Sequence, residues 1–440
     1  MRAGIGNTRG GSGPDTGGGP GRSSGVNWSF YGWRMLPFAW LIYGLGAAPF
    51  YSWGVFLPQM LEELEMSRAD SGWAFGIWSF CGGVVAPFIG VCLNRFGPRA
   101  VFTAGFLFVS VAYYMTSRAQ DRWDVFLYFG LFAGLTHTFS TVLPTQTLAT
   151  NWFLRWRATA LAFLLIAASI LAPLVYYVDN TVLSRGGDWR DGWAIIAVLC
   201  AGLGVLSFLV LRNTPESMGQ LRDGARSLAS LQAAAARTGA NTPDNWVAKE
   251  AVRTPQFSLM VLCGLGYAIP WGVLANHGNL HLLDIGFGVG EASALLALMA
   301  FVSTFGRMSG ALGDRISPPR LLGVALALEG TGMALLLFVR TAGEARLALI
   351  LVGLGFGMAY ICQAATFARF FGRRGFATTT GLRFAVGAVF GATVPAITGW
   401  FFDTQGSYAV PFLAIAAVTL SGSVVAFFLQ PPRKSQSGTT

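Results

Sequence analysis

Arg307 is the residue of this chain whose setting most restricts its chemistry. It stands seven positions before Asp314 in a long apolar stretch, about 10 Å inward from the loop at ~1.5 Å per helical residue. On a helical wheel Ala300, Ser303, Thr304, Gly310, Ala311 and Asp314 share its face, while Phe301, Val302, Phe305 and Leu312 lie opposite. That split turns the guanidinium towards protein rather than lipid. An Arg within hydrocarbon costs at least about 2.5–3.5 kcal/mol on insertion scales, and no acid shares its part of the helix. A substrate carboxylate offsets that cost through two parallel hydrogen bonds that Lys does not reproduce. A structural ion pair with a neighbouring segment is the alternative.

Other polar side chains fall in similar stretches. Arg383 is followed on its face by Gly387 and Gly391; lining a cavity and snorkelling to the interface both fit. His137 shares a small, polar face with Gly130, Ala133, Gly134, Ser140, Thr141 and Pro144, which suits a cavity wall. His277 and His281 end a segment whose His281 face carries Tyr267, Trp271, Leu274 and Gly278, and Asp284 follows. Because His titrates near physiological pH, His277, His281 and Asp284 are candidates for proton coupling; hydrogen-bonded packing explains the two His equally well. Glu329 joins them as a buried acid, either paired with an Arg or held protonated. Tyr43, Ala47 and Tyr51 form one face of the first segment, and Tyr360 neighbours Gln363 in the tenth. With Tyr267 and Trp271 these residues line a binding cavity or simply pack. No spacing fits a metal site or a cofactor, and neither H-E-x-x-H nor G-x-S-x-G occurs.

These side chains need a scaffold, and composition narrows it. Of 440 residues, 53% are hydrophobic and 11% charged, with a mean hydropathy of +0.54. Soluble domains carry about 25% charged residues, so this chain has too little polar surface to cover itself in water. The excess of 30 Lys and Arg over 20 Asp and Glu, net +10, sits in short gaps between apolar runs, which excludes a nucleic-acid-binding protein. The five Cys, at 81, 92, 200, 263 and 362, lie within apolar stretches without paired spacing, against a disulfide framework or a metal knuckle. A secreted enzyme and a disordered chain are excluded as well.

Apolar runs long enough to cross a core of about 30 Å with about 20 helical residues recur near 30–56, 71–93, 100–117, 125–150, 158–178 and 192–212, then 256–282, 290–312, 321–339, 345–368, 376–402 and 407–429. Their continuity favours helices over barrel strands, in which lipid-facing residues alternate. The fold class is an all-α membrane protein with twelve transmembrane helices. Arg95 and Arg99, Arg155 and Arg157, Arg315 and Arg320, and Arg369, Arg373 and Arg374 occupy alternate gaps, with further basic residues in both tails and the middle stretch. Twenty basic residues fall on that side and seven on the other. The positive-inside rule then puts both termini in the cytoplasm of a multi-pass plasma- or inner-membrane protein.

Residues 1–28, rich in Gly, Ser and Pro without a signal-peptide core, read as a disordered cytoplasmic tail. Residues 29–212 form one six-helix bundle and 256–430 a second. Between them 213–255 is a polar cytoplasmic loop whose Leu231–Arg237 suggests a short helix, and 431–440 is a second tail. The halves echo each other. Gly90-Val-Cys-Leu-Asn94-Arg95 and Gly310-Ala-Leu-Gly-Asp314-Arg315 share G-x-x-x-[ND]-R, 220 residues apart. Arg155-Trp-Arg157 and Arg373-Arg374 repeat in the same way, and parallel halves are a transporter signature.

The two G-x-x-x-[ND]-R loops, seen as Asn94-Arg95-Phe-Gly97-Pro-Arg99 and Asp314-Arg315, resemble the cytoplasmic motif of the major facilitator superfamily. Within it, Tyr51-Ser-Trp-Gly-Val-Phe-Leu-Pro58, Ser67-Arg68-Ala69, Trp152-Phe-Leu-Arg155-Trp-Arg157-Ala-Thr-Ala-Leu-Ala162, Phe370-Phe-Gly-Arg373 and Gly399-Trp-Phe-Phe-Asp403-Thr-Gln-Gly-Ser-Tyr408 are similar to the monocarboxylate and oxalate/formate branch. The resemblance implies two pseudo-symmetric bundles, no enzymatic activity, and a gating latch of Gly90, Asn94, Arg95, Arg99, Gly310, Asp314 and Arg315, with the two Gly permitting close helix approach. Plain topogenic charge is the alternative, and Asn94 stands where the family usually has an acid. The resemblance also implies that Arg307 matches a substrate-binding Arg and that Arg383 is the counterpart of a second cation, usually Lys. The Lys and Asp of the family's proton relay align with Tyr51 and Ser303, and its early acidic motif is reduced to Phe30-Tyr-Gly-Trp33.

The expected function is secondary transport of a small organic anion, a mono- or dicarboxylate, by proton symport or anion exchange, with protons and the lipid bilayer as further partners. Efflux of a lipophilic or cationic compound is the second reading, although Ala167-Ala-Ser-Ile-Leu-Ala-Pro173 lacks the Gly-Pro-rich pattern of drug exporters. A non-transporting receptor is the third.

Overall fold

Within lipid a free amide finds no partner, so an apolar run satisfies its backbone by coiling on itself. In the computed structural model residues 29–154, 156–225, 246, 248–309, 316–371 and 376–432 are described. The first tail, the stretch Leu231–Arg237, Arg155, Gly310, Asp314, Arg315, Arg373, Arg374 and residues 433–440 lie outside them.

All regular structure among the described residues is helical. The first pass is made by α1 (Tyr31–Gly46) and α2 (Ala48–Glu63), which break at Ala47. Pro49 opens α2, a position where its missing N–H costs nothing. Then come α3 (Arg68–Thr116), α4 (Arg122–Trp152), α5 (Arg157–Ser184), α6 (Trp189–Val210), α7 (Pro255–Asp284), α8 (Val289–Met308), α9 (Pro318–Phe338), α10 (Ala342–Phe371), α11 (Phe376–Gln405) and α12 (Ala409–Phe428). The last ten are each long and apolar enough to span a membrane.

The 49 residues of α3 make two of the passes. At Gly97 the backbone takes φ 77°, a left-handed angle open to glycine, and the chain doubles back. A Cβ at Gly82, before the turn, would stand 2.6 Å from the Thr138 hydroxyl, and one at Gly105, after it, 2.6 Å from the Phe139 Cβ. Both arms therefore flank the same level of α4. With α1 and α2 counted together, the described helices cross twelve times. The fourth pass is irregular, with a π segment at Phe126–Ala133 and a 3₁₀ turn at Thr138–Ser140.

The passes divide into bundles α1–α6 and α7–α12, which meet chiefly where α3 packs on α11, α5 on α8 and α2 on α7. Small residues allow the α3–α11 contact. A Cβ on Gly72 would lie 2.5 Å from the Ala396 backbone, one on Gly76 would collide with the Ala392 carbonyl, and one on Gly83 would come 2.8 Å from the Ala388 Cβ. The close approach expected at Gly90 is absent: a Cβ there meets nothing within 4 Å. The close contacts of this stripe lie at Gly72, Gly76 and Gly83 instead. Outward faces carry Phe88, Phe108, Val198 and Phe428, all more than half exposed, as a lipid-facing surface requires.

Candidate functional site

Arg307 enters the space between the bundles from α8. Ala300, Ser303 and Thr304 on its face are buried, whereas Phe301, Phe305 and Met308 are exposed. Its Nη1 donates to the Leu165 carbonyl on α5 at 2.5 Å, across the bundle boundary. Its Cζ lies 5.3 Å from the Tyr360 ring and 5.8 Å from that of Phe356, within cation–π range. Its Nε has no partner. No carboxylate among the described residues stands within ion-pair distance of it. One turn earlier, Ser303 donates to the Ala300 carbonyl at 2.7 Å and shares a hydrogen bond with Ser169 of α5 at 3.1 Å. The hydroxyls of Tyr43, Tyr51 and Tyr360 are within electrostatic reach of Arg307. The cation is thus surrounded by neutral groups, with donor capacity left over.

An aromatic shelf joins Arg307 to Arg383. Trp271 stacks on Phe356 at 3.8 Å and 10°, and Phe356 adjoins Tyr360 at 6.2 Å and Tyr267 at 5.8 Å. Arg383 Nη1 donates to the Tyr267 hydroxyl at 3.0 Å and to Gln363 Oε1 at 3.2 Å. The orientation of Gln363 is fixed in turn, since its Nε2 donates to the Met260 carbonyl at 2.8 Å. Arg307, Arg383, Tyr51, Tyr267, Trp271, Tyr360 and Gln363 therefore share one region. His137 does not join it. It sits inside the first bundle, with Nδ1 3.2 Å from the Tyr113 hydroxyl and its ring 4.9 Å from Trp78.

A second cluster, whose Asp284, His277 and His281 the sequence named without their pairing to Arg68, ties the bundles at the end where α3 begins. Arg68 grips Asp284 through both nitrogens, at 2.5 and 2.7 Å, donates to the Tyr408 hydroxyl at 2.8 Å, and lies over Phe402 at 3.6 Å. Asp403 accepts the first two amides of α3, from Arg68 at 3.1 Å and Ala69 at 2.8 Å. Ser67 caps the third, from Asp70, at 3.0 Å. Next to this cluster Tyr408 lies 3.3 Å from Nδ1 of His277, whose Nε2 stands 2.8 Å from the Pro395 carbonyl. The contacts run Arg68 to Tyr408 to His277 to Pro395, and His277 Nε2 also lies 3.1 Å from Asn276 Nδ2. His281 reaches the Leu336 carbonyl at 3.3 Å and packs on Phe412. Closer to the centre, Trp53 donates to Asn276 at 2.6 Å and Asn279 to the Gly54 carbonyl at 3.0 Å.

Nothing in residue spacing signals this cluster, since Asp284 follows Arg68 by 216 positions and Asp403 by 335. At the same end, Glu63 accepts from Arg190 and from Trp189 Nε1. The Arg190 hydrogen bond, then that of Trp189, holds the Glu63 carboxyl below its ordinary range. Glu329 lies apart from both clusters, fully buried beside Gly355 of α10, with neither carboxyl oxygen partnered. At the turn halfway along α3, Asn94 and Arg95 are exposed. Arg99 caps α6 by donating to the Phe208 carbonyl at 2.8 Å.

Comparison with known proteins fits this geometry. The family model described as Major Facilitator Superfamily matches residues 39–394. The chain belongs to the major facilitator superfamily. It is 24% identical over 417 residues to monocarboxylate transporter 11 of Homo sapiens, covering 90% of this chain and 82% of that protein. It is 25% identical over 427 residues to monocarboxylate transporter 3 of Rattus norvegicus, covering 93% and 82%. In fold it is similar to a bacterial homologue of the human lysosomal transporter Spinster solved inward-facing and unoccupied, with TM-score 0.70 at 15% identity, covering 91% of this chain and 97% of that one. The protein is a multi-pass membrane transporter that resembles the monocarboxylate branch, and not an enzyme.

Proposed function

We propose that this transporter moves a small organic anion, a mono- or dicarboxylate, bound between the bundles at Arg307 with Arg383 at the other side of the shelf. The observation that carries the reading is the state of Arg307: a half-buried cation with an unpartnered Nε, held by one backbone carbonyl and two aromatic faces. A carboxylate fits such a fork in bidentate fashion, while the shelf of Trp271, Phe356 and Tyr360 accommodates a short carbon chain. The names of the sequence relatives support the same cargo class.

In this reading the bundles rock about the site by alternating access, with proton symport or exchange as the driving mode. Bundles 29–212 and 256–430 are the moving bodies, the Arg68 cluster closes one end, and Arg95 and Arg99 lie at the other. Both termini and the 213–255 loop face the cytoplasm of the plasma or inner membrane. The test is uptake of labelled lactate, pyruvate and oxalate into proteoliposomes. Each charge-assisted hydrogen bond is worth about 1.5–3 kcal/mol, so Arg307→Ala is expected to reduce uptake roughly 100-fold. Normal uptake by that variant, or accumulation of organic cations in place of acids, overturns the assignment.

A further inference from the structure

The seam between α5 and α8 is tied in one half and open in the other. Towards Arg307 it is closed by the hydrogen bond between Ser303 and Ser169 at 3.1 Å and by Arg307 on the Leu165 carbonyl. Towards the Arg68 end it holds a groove of about 470 Å³, walled by Pro173, Tyr176 and Asn180 of α5 and by Gly290, Ala294 and Ala297 of α8. The space follows from the sequence. Gly290, Ala294 and Ala297 recur at helical spacing on one face of α8, and nothing larger than a methyl projects from those three positions.

The lining narrows the occupant. It carries no charged side chain, and the Asn180 amide donates to the Tyr176 carbonyl of its own helix at 2.9 Å. A carboxylate finds no cation there, so the groove is not a second cargo site. It opens sideways: Leu174 and Tyr177 on α5, and Ala294 and Phe301 on α8, are exposed, and both helices are long and apolar enough to span a membrane. The mouth therefore meets acyl chains. Its length agrees. The lining runs along α8 from Gly290 to Phe301, about 16 Å at ~1.5 Å per residue, which is one leaflet of a hydrocarbon core about 30 Å thick. At the outer end stand charges of both signs. Arg185 ends α5 and Glu291 lies in the first turn of α8 beside Gly290, both exposed. They complement a phosphate and an ammonium.

We propose that this groove binds one acyl chain of a phosphatidylethanolamine from the leaflet at the Arg68 end, with the phosphate at Arg185 and the ammonium at Glu291. The gain is not hydrophobic, because lipid tails are as apolar as the walls. It comes from dispersion contacts that the open walls otherwise forgo, and from the headgroup. One wall belongs to each bundle, so the bound chain is a wedge. It holds α5 and α8 at the spacing seen here, and a rearrangement that brings the two helices together must first expel it. The site does not depend on the nature of the cargo, since none of its lining residues is among those assigned to the anion.

Native mass spectrometry of the transporter, delipidated in detergent and titrated with phosphatidylethanolamine, is expected to show one lipid retained per chain. Ala294→Phe fills the groove and is expected to abolish that retention, whereas Val198→Phe, on the exposed side of α6, keeps it. Equal retention in the two variants overturns the proposal, because the lipid then belongs to the general annulus. Arg185→Gln and Glu291→Gln change only exposed side chains, and each is expected to weaken retention roughly fivefold, the worth of one partly exposed ion pair. Phosphatidylglycerol, which lacks the amine, is expected to bind as weakly to the parent as phosphatidylethanolamine does to Glu291→Gln; equal binding of the two lipids overturns the headgroup assignment. Excess lactate is expected to leave the lipid in place, and displacement by it would make the groove a cargo site instead. The wedge is read by spin labels at Leu174 and Phe305, both exposed, in a background without native cysteines. Adding the lipid is expected to shift the distance distribution of the parent and to leave that of Ala294→Phe unmoved. An unmoved parent overturns the wedge.

Discussion

At the scale of single residues, the value of Arg307 lies in its shape as well as its charge. Lysine would keep the charge, but it presents a point donor where guanidinium presents a fork. Arg307→Lys is therefore expected to raise the KM for carboxylates about tenfold, the loss of one charge-assisted hydrogen bond, while maximal flux falls less. Concentration-dependent uptake measures this, and an unchanged KM would mean that a point charge suffices. The direction of Arg307 was legible in the sequence, because a period of 3.6 put Ser303 and Thr304 on its side and the Phe residues on the other. Its contact at Leu165 was not legible, since a backbone carbonyl belongs to every residue type and leaves no compositional trace. The burial of Asp179, 4% exposed on α5, was not legible for another reason. The hydropathy of the fifth segment fades at 178, so the acid reads as part of a loop, but α5 continues to Ser184 and carries it inside.

At the scale of elements, twelve passes could be read from apolar runs, because length and hydropathy are all that a bilayer demands. Local interruptions could not. Ala47 breaks the first pass among residues no less apolar than its neighbours, and the π segment of α4 is uniformly apolar. Both depend on packing that only the assembled bundle supplies. The glycines show the same limit. The sequence marked Gly90 for close approach, yet the contact occurs earlier on the same stripe, at Gly72, Gly76 and Gly83. Gly76→Val is expected to destabilise the α3–α11 contact by about 1–3 kcal/mol, the usual cost of overpacking, and to lower the thermal midpoint in detergent. Gly90→Val, which points into open space, is the matched control and is expected to leave the midpoint in place. Equal melting of the two variants would contradict the packing described.

At the scale of the whole molecule, the hydrogen bonds between the bundles among the described residues are distributed unevenly. They cluster where Arg68 meets Asp284 and Asp403, thin out through Trp53 and Asn279, and finish at Ser303 and Arg307. Partly exposed ion pairs contribute at most about 1 kcal/mol, so Arg68→Ala is expected to shift the balance between closed and open ends by roughly fivefold. A cysteine substituted at Asn279, with the native cysteines replaced, should then react about fivefold faster with an impermeant thiol reagent; an unaltered rate means that Arg68 does not hold that end closed. One detail of this end reaches further. The first two amides of α3 are capped by an aspartate that belongs to the opposite bundle. In the proposed alternating-access cycle the bundles part, and those N–H groups and the Asp403 oxygens must then find other partners at once, with only solvent at hand. Hydration is then a reactant in the opening step, and osmolytes too large to enter the crevice should slow turnover while leaving binding at equilibrium untouched.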